Sequence, residues 1–492
     1  MNGQVRSRGK RCAVPSHESR RAPEGPTSHP SGTTEEPGAA PNGNRGFLIN
    51  AAGAMLLPLV AFVTAPVLAQ SLGVLGRGEV ASATAPFLLM SVVASLGLPD
   101  AVTYFVASRS VRMRTIVGGV MGIAAALGLL ASAGIALASG WLAGGDTALA
   151  GLVRIAAIPL PLYLCLGVVR GIAQGLNRWN LVAREQAIFA VSRLMFIVGL
   201  LGAGHLDVLT ATIVFVVSPI MGGLAYLPLL GSSLDYPRTI REPASLARLF
   251  RYGSMTWLGA ISGILIFRLD QTLMTPLSST EELGLYVVAA AIGEIPGILT
   301  TSIQNVTLAK QSEDPQLRTL GETSRLGLLA NGLLSLGLAA ASPLIIPLLF
   351  GREFKSAVAT AFILVLAATL NVPGAVVGAG LAARFRPGLR SLALAIACIA
   401  NLVGLILLVP RFGATGAAWC MVLSSLVHSA VAVGIFHHLF GGRIQTLVVP
   451  RHNDWLNVLG FMARLAHRAH LPVPMPPEPV IPRRAIDPDA HL

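Results

Sequence analysis

Six charged side chains stand inside long apolar stretches of this sequence, where each must find a partner or water. They are Arg193, Glu294, Arg268, Asp270, Asp100 and Arg154. A charge at the centre of a membrane-spanning helix costs about 2.5–3.5 kcal/mol on insertion scales. At about 1.5 Å of rise per residue, Arg193 and Glu294 would lie near the middle of a bilayer. Such residues are candidates for binding a polar solute or an ion, and the alternative is that they pair between helices and fix the packing.

The elements that must position these charges are about twelve apolar stretches of roughly 20 residues each, which is the length that crosses a hydrocarbon core of about 30 Å. The chain is 53% hydrophobic and 12% charged, so it can supply many such helices. We therefore expect an all-α polytopic membrane protein. The predicted spans lie near 47–69, 80–107, 115–139, 149–172, 183–203, 206–231, 249–276, 284–306, 324–350, 357–383, 389–410 and 413–440.

The loops between these spans fall into two alternating classes. One class is rich in arginine and contains Arg109, Arg112, Arg114, Arg178, Arg184, Arg238, Arg241, Arg248, Lys310, Arg318, Arg384, Arg386 and Arg390. The other class contains only Arg77, Arg352, Lys355 and Arg411. Because positively charged loops stay on the cytoplasmic side, the first class is predicted to be cytoplasmic. An even number of spans then places both termini there as well.

The longest internal connection, residues 232–248, divides the predicted spans into two bundles of six, at 47–231 and 249–440. The segments 75–83 and 283–291, at equivalent places in the two bundles, resemble each other as a duplicated unit would. Residues 1–46 are polar and rich in Gly and Pro, so we expect a disordered basic tail. Residues 441–492 form a second cytoplasmic tail, with an amphipathic helix predicted near 454–470 that would lie on the membrane or dock on the protein's own loops.

The placement of charges, the spacing of cysteines and the motifs present argue against several classes of function. The formal charge is +13, but the basic residues lie in loops and tails, so anionic lipid is a better partner than nucleic acid. The four cysteines have no paired spacing, and we expect no disulfide, no structural metal and no cofactor. The sequence has no P-loop, no His-Glu-x-x-His motif and no Gly-x-Ser-x-Gly motif, so the protein is not expected to be an enzyme of these classes.

Several turn motifs in the chain match a known family in order and spacing. They are Ser71-Leu72-Gly73, Leu75-Gly76-Arg77-Gly78-Glu79, Phe267-Arg268-Leu269-Asp270-Gln271, Leu283-Gly284-Leu285-Tyr286, Pro347-Leu348-Leu349-Phe350-Gly351-Arg352-Glu353-Phe354 and Val409-Pro410-Arg411-Phe412-Gly413-Ala414-Thr415-Gly416-Ala417-Ala418. With these motifs the chain resembles the polysaccharide-exporting branch of the multidrug/oligosaccharidyl-lipid/polysaccharide (MOP) superfamily. Physically, Gly351 and Gly413 are predicted to be turn residues that end one helix or free the next.

The resemblance implies a MATE/MOP-like pair of six-helix bundles in the bacterial plasma membrane. It implies a monomeric flippase that moves an undecaprenyl-diphosphate-linked oligosaccharide, or a related cell-envelope glycolipid, from the cytoplasmic to the outer leaflet by alternating access. A proton or sodium ion is a possible coupling ion, and polysaccharide assembly proteins are possible contacts.

On this resemblance, Arg193 and Arg268 would bind the anionic headgroup, because the guanidinium fork donates two parallel hydrogen bonds to phosphate oxygens. Glu294, Asp270 and Asp100 would orient those arginines or carry protons. Further residues could line the route of the glycan, namely Arg154, Asn371, Asn401, His428, Gln304 and Asn305.

Other functions remain open at this stage. A drug or cation antiporter of the same superfamily would favour acidic residues over arginines near the midplane. A glycan polymerase or ligase, or a membrane scaffold, is a third possibility, although such enzymes usually carry a sizeable outer loop, which this chain lacks. Peptidoglycan-precursor flippases rank lower, since no basic residue lies between Arg45 and Arg77 in the first span.

Overall fold

The structure is a computed structural model that describes residues 42–109, 116–231, 246–441, 444–449, 451–452 and 454–456. Most of the predicted tail 1–46, most of the linker 232–248 and most of the helix predicted near 454–470 lie outside these residues. The described residues from Arg45 onward form one compact unit by their contacts. The division into two six-helix bundles therefore stays a prediction, and we use "N-terminal half" for residues 42–231 and "C-terminal half" for residues 246–440.

The described part of the chain is helical throughout and contains no strand. In the N-terminal half the helices are α1 Asn42–Val93, α2 Leu98–Ala107, α3 Met121–Leu142, α4 Thr147–Ala157, α5 Leu160–Gly175, α6 Trp179–Gly202, α7 Val208–Gly222 and α8 Leu227–Gly231. In the C-terminal half and beyond they are α9 Leu246–Ile266, α10 Leu269–Leu277, α11 Thr280–Glu313, α12 Leu317–Leu349, α13 Ala357–Leu370, α14 Val372–Ala383, α15 Pro387–Phe440 and α16 Ile444–Val448.

Within the described residues, nine helical stretches are long and apolar enough to cross a membrane. Pro387–Phe440 contains two of the predicted spans, and Leu59–Ala107 contains the span 80–107 and the second half of 47–69. The predicted span 249–276 corresponds to α9 and α10, which are not among the nine. The all-α polytopic membrane fold is thus confirmed, while the count of twelve spans stays a prediction.

Large apolar side chains cover the outside of these helices. Leu137 is 89% exposed and Leu344 is 72% exposed, although both lie in strongly apolar helices. Soluble proteins rarely expose apolar surface on such a scale, whereas a lipid-facing helix requires it. The chain is therefore a multi-pass membrane protein.

Two glycines lie where the sequence predicts turns between helices. Gly351 has φ 108° directly after α12 ends, and Gly413 has φ 53° inside the long helix α15. Both predictions are confirmed, because a positive φ is easily adopted only by glycine. A side chain from α11 stabilises the second turn: Glu282 Oε2 accepts a hydrogen bond of 2.7 Å from the backbone N–H of Ala414.

The two halves touch at both ends of the molecule through closely packed backbone. At the predicted outer end, a Cβ on Gly78 would lie 1.9 Å from the carbonyl oxygen of Thr280, and a Cβ on Gly284 would lie 2.2 Å from that of Val74. These contacts join the two segments whose sequences resemble each other. At the predicted cytoplasmic end, a Cβ on Gly97 would lie 2.2 Å from the carbonyl oxygen of Gly253.

Two ion pairs, each with a buried carboxylate, stabilise the predicted cytoplasmic ends of helices. Arg170 of α5 binds Glu185 of α6, with Arg170 Nε donating to Oε2 over 2.8 Å, and Tyr226 Oη donates to the same oxygen over 2.6 Å. In the C-terminal half, Arg325 Nε of α12 donates to Asp454 Oδ2 over 2.6 Å. The second pair fixes the segment after α15 onto α12, where Leu447 is buried.

Candidate functional site

The candidate site is built around the break between α9 and α10. Arg268 precedes α10 with φ −128° and ψ −22°, so the backbone leaves helical geometry there. The carbonyl oxygen of Ile266, at the end of α9, accepts a hydrogen bond of 3.2 Å from Asn401 Nδ2 of α15. A broken helix is tolerated at membrane depth only where its free backbone groups find partners or line a cavity. Asn401, which is fully buried, supplies one such partner.

A cavity of 1280 Å³ opens beside this break and is lined by the C-terminal half. Ligand pockets usually enclose about 300–1,000 Å³, so this cavity is large. Three predicted charged residues line it: Arg268, Asp270 and Glu294. Amide and hydroxyl groups also line it, among them Gln271, Thr300, Thr301, Gln304, Asn371, Ser391 and Ser425.

The two carboxylates of the cavity differ in their surroundings. Asp270 is 3% exposed, accepts a hydrogen bond from the phenol of Tyr286, and accepts a second from the backbone N–H of Gln271 over 2.7 Å. Glu294 is exposed to the cavity and forms no hydrogen bond or ion pair with any described residue. Asp270 is therefore held by the protein, whereas Glu294 is free to meet a solute.

Arg193 lies within electrostatic range of two other arginines, and of these three residues only Arg268 lines the cavity. The charge of Arg193, on α6, is repelled by those of Arg77, on α1, and Arg268. None of the three belongs to an ion pair among the residues that the structure describes. The guanidinium carbon of Arg193 lies 3.6 Å from the centre of the Phe215 ring. We call Arg77, Arg193 and Arg268 the arginine cluster.

The other residues predicted for the site lie in various places. Asn371 lines the cavity, and its Oδ1 lies 2.7 Å from Nδ1 of the buried His428. Arg154 donates from Nε to Ser139 Oγ over 2.8 Å, between α4 and α3. The other two are exposed and do not line the cavity: Asp100 in the first turn of α2, and Asn305 on α11.

The sequence alone did not single out Arg77 or Tyr286. Arg77 is predicted to lie in an outer loop; in the structure it lies four residues after a kink of α1 at Gly73, is 7% exposed and has no hydrogen-bond partner for Nε. Tyr286 carries no charge, so it does not stand out in an apolar stretch of the sequence as a buried charged residue does.

No group of three or more His, Cys, Asp or Glu side chains suited to a metal ion occurs in the described ranges. The site thus consists of an arginine cluster contributed by both halves, two carboxylates and a largely apolar cavity that also carries amide and hydroxyl groups. Such an arrangement can bind an anionic group while a large uncharged part lies beside it.

Three solved structures share the fold over most of their lengths. One is described as the lipid II flippase MurJ in an inward closed conformation, with a TM-score of 0.63 and 13% identity, covering 87% of this chain and 94% of that chain. The second is an inward-facing multidrug resistance MATE family transporter of the MOP superfamily, with a TM-score of 0.58 and 16% identity, covering 81% and 98%. The third is a MOP superfamily transporter from Pyrococcus furiosus Vc1 (DSM3638), described by the reverse polarity of its binding pocket, with a TM-score of 0.53 and 14% identity, covering 82% and 95%. At these identities the likeness shows the fold alone.

No curated protein matches the chain. The sequence model of one family, described as polysaccharide biosynthesis protein, matches residues 44–308, which is more than half of the chain. That region includes every member of the arginine cluster and both carboxylates of the cavity. The chain therefore belongs to the polysaccharide biosynthesis protein family and has the fold of the MOP superfamily transporters.

Proposed function

We propose that the protein is a flippase that moves a diphosphate-linked oligosaccharide lipid from the cytoplasmic to the outer leaflet of the bacterial plasma membrane by alternating access. The observation that carries this proposal is the arginine cluster, whose three members come from both halves and have no ion pair among the described residues. Family membership and the MOP fold support the same function.

A diphosphate is the ligand class that this cluster fits best. Like charges in this cluster repel, and the burial of Arg77 reduces screening of its charge by water. A diphosphate carries several negative charges and many acceptor oxygens, so it would relieve the repulsion and accept bidentate hydrogen bonds from the guanidinium groups. Because Arg193 and Arg268 lie on different halves, the same anion would also draw the halves together.

The cavity beside the cluster suits the oligosaccharide. Amide and hydroxyl side chains line it, and sugars present hydroxyl groups that need such partners. The lipid chain needs no binding site of this kind because it can stay in the surrounding bilayer. The glycan would then lie in the C-terminal half while the diphosphate binds between the halves.

Alternating access would use the contacts at the two ends of the molecule. Gly78 against Thr280 would close the outer end, and Gly97 against Gly253 would close the cytoplasmic end. Both contacts join the N-terminal half to the C-terminal half. Opening one contact while the other stays closed would expose the cluster to one leaflet at a time.

A test in cells uses Arg193→Gln and Arg268→Gln. We expect both variants to lose most surface glycan at unchanged protein abundance, since each removes a cation that would bind the diphosphate. Arg154→Gln is the control, because Arg154 is bonded to Ser139 away from the cluster. Normal surface glycan in both cluster variants would contradict the proposal.

One observation favours a second function, a drug or cation antiporter. Glu294 and Asp270 line the cavity, and an organic cation could bind there in exchange for a proton or sodium ion. Such a protein would lose transport in Glu294→Gln and keep it in Arg193→Gln, the opposite of the pattern expected for the flippase.

For a glycan polymerase or ligase, the described residues offer no supporting observation. Contacts with polysaccharide assembly proteins and a monomeric state belong to the proposal as well.

A further inference from the structure

The cavity has a second arginine, far from the arginine cluster. Arg390, in the first turns of α15, lines the cavity together with Pro387, Gly388 and Ser391. Pro387 and Gly388 are exposed, so this end of the cavity is its mouth. By the distribution of basic loops, the mouth faces the cytoplasm.

The distance from the mouth to the break in the helix can be measured along α15. Asn401, which bonds to the carbonyl oxygen of Ile266, lies eleven residues after Arg390 on the same helix. At 1.5 Å per residue, Arg390 therefore lies about 16 Å from the level at which α9 ends, close to Arg268. A single diphosphate cannot span two cations at that distance.

Arg390 is held in place by packing rather than by a carboxylate. An ideal Cβ on Gly378 of α14 would lie 3.3 Å from Arg390 Cγ, so the glycine leaves room for the arginine stem. The charge of Arg390 interacts electrostatically with His428, whose ring forms a hydrogen bond with Asn371 of the cavity wall. In the described part of the chain Arg390 forms no ion pair. Its fork is thus available to an oxyanion in the cavity.

The lining between Arg268 and Arg390 is largely apolar, with scattered amide and hydroxyl groups, and its only carboxylates are Asp270 and Glu294, which lie at the Arg268 end. Gln304, Thr301, Asn371 and Ser425 face the intervening space. An uncharged glycan offers no charged partner to a guanidinium group at the mouth. An acidic sugar at that position would form charge-assisted hydrogen bonds with Arg390.

From this placement we propose that Arg390 binds a carboxylate or phosphoester on the glycan, so that the substrate is an acidic oligosaccharide with a second anion about 16 Å from the diphosphate. The inference rests on the proposed flippase function and adds the class of its glycan. Arg390 acts as a specificity residue, whereas the arginine cluster binds what all such lipids share.

Binding of three probes to the purified full-length protein tests this inference. The probes are undecaprenyl diphosphate, the same lipid carrying a neutral trisaccharide, and the same lipid carrying a trisaccharide that ends in glucuronic acid. We expect Arg390→Gln to weaken binding of the acidic probe about tenfold and to leave the other two unchanged. Arg268→Gln should weaken all three. Arg390→Lys, which keeps the charge and loses the fork, should show a smaller loss for the acidic probe alone.

The outcomes separate the two proposals. Equal weakening of all three probes by Arg390→Gln would mean that Arg390 binds the diphosphate, and it would overturn the acidic-glycan inference. No effect of Arg390→Gln on any probe would overturn it as well. If the wild-type protein binds none of the probes, the flippase proposal itself fails. Should Arg390→Gln not give folded protein, Arg390→Lys decides: binding of the acidic probe equal to that of the wild type contradicts the inference.

Discussion

Asn401 Nδ2 donates a hydrogen bond to the carbonyl oxygen of Ile266 over 3.2 Å, and this contact ties α15 to the break between α9 and α10. Ile266 and Asn401 are both buried. The bond thereby positions Arg268, two residues later, at the wall of the cavity.

Asn401→Ala should lower the melting temperature of the purified protein. The change leaves the carbonyl of Ile266 without a partner, which costs about 1–3 kcal/mol for a buried polar group. Asn305→Ala is a matched control on α11, because Asn305 is exposed and should change the melting temperature little. Equal melting temperatures for the two variants would show that the hydrogen bond does not support the break.

Much of the fold follows from the sequence because a run of about 20 apolar residues in a bilayer has few alternatives to a helix. The predicted span 183–203 corresponds to Trp179–Gly202, and the predicted turn at Gly413 is present. The break before Arg268 was not predicted. No proline or glycine marks it, and it is stabilised by Asn401, which is more than a hundred residues away in the sequence.

The sequence predicted those site residues whose charges lie inside apolar stretches, because burying a charge there is costly. Arg268, Asp270 and Glu294 stand inside apolar runs, and all three line the cavity. Arg77 and Arg390 lie at the ends of such runs, where an arginine in a loop costs nothing, so sequence alone gave no reason to select them. Only the packing of helices places them against the site.

The pair of Arg170 and Glu185 should contribute measurably to stability. Glu185 is buried, and removing one partner of a buried pair costs roughly 3–5 kcal/mol, less where a partner is partly exposed, as Arg170 is. We expect Glu185→Gln to lower the melting temperature clearly. Glu322→Gln is the control, because it breaks the exposed pair with Arg318, and exposed pairs contribute about 0–1 kcal/mol. A larger effect at Glu322 than at Glu185 would contradict this assignment.

Docking of the C-terminal segment should depend on pH through Asp454. The hydrogen bond from Arg325 holds the pKa of Asp454 below its ordinary value. A carboxyl group whose pKa is lowered in the folded state stabilises that state above its ordinary pKa, and the contribution is lost as the pH falls through the lowered value. We expect residues 444–456 to gain hydrogen exchange as the pH falls below about 4, after correction for the intrinsic exchange rate.

Asp454→Asn provides the control for this pH dependence. The variant lacks the titrating group, so the segment should already exchange faster at neutral pH and should show no further loss of protection on acidification. Protection that changes with pH equally in the wild type and the variant would mean that another group is responsible.

Gly78→Ala should disturb closure of the outer end. The added Cβ would lie 1.9 Å from the carbonyl oxygen of Thr280, so α1 and α11 must move apart. We expect a cysteine at Ala81, which is buried one turn further along α1, to react with a membrane-impermeant maleimide from outside only in the Gly78→Ala background. Gly134→Ala is the control, since nothing lies within 4 Å of its added Cβ. Equal labelling in both backgrounds would show that this contact does not close the outer end.

The most direct test of the flippase proposal is the rate at which the reconstituted protein moves an undecaprenyl-diphosphate trisaccharide across a liposome bilayer. We expect the wild type and Arg154→Gln to move the lipid at similar rates. Arg77→Gln, Arg193→Gln and Arg268→Gln should each be slower by about tenfold or more, because each loses charge-assisted hydrogen bonds worth about 1.5–3 kcal/mol. Transport at the wild-type rate by a protein with all three arginines replaced would contradict the account.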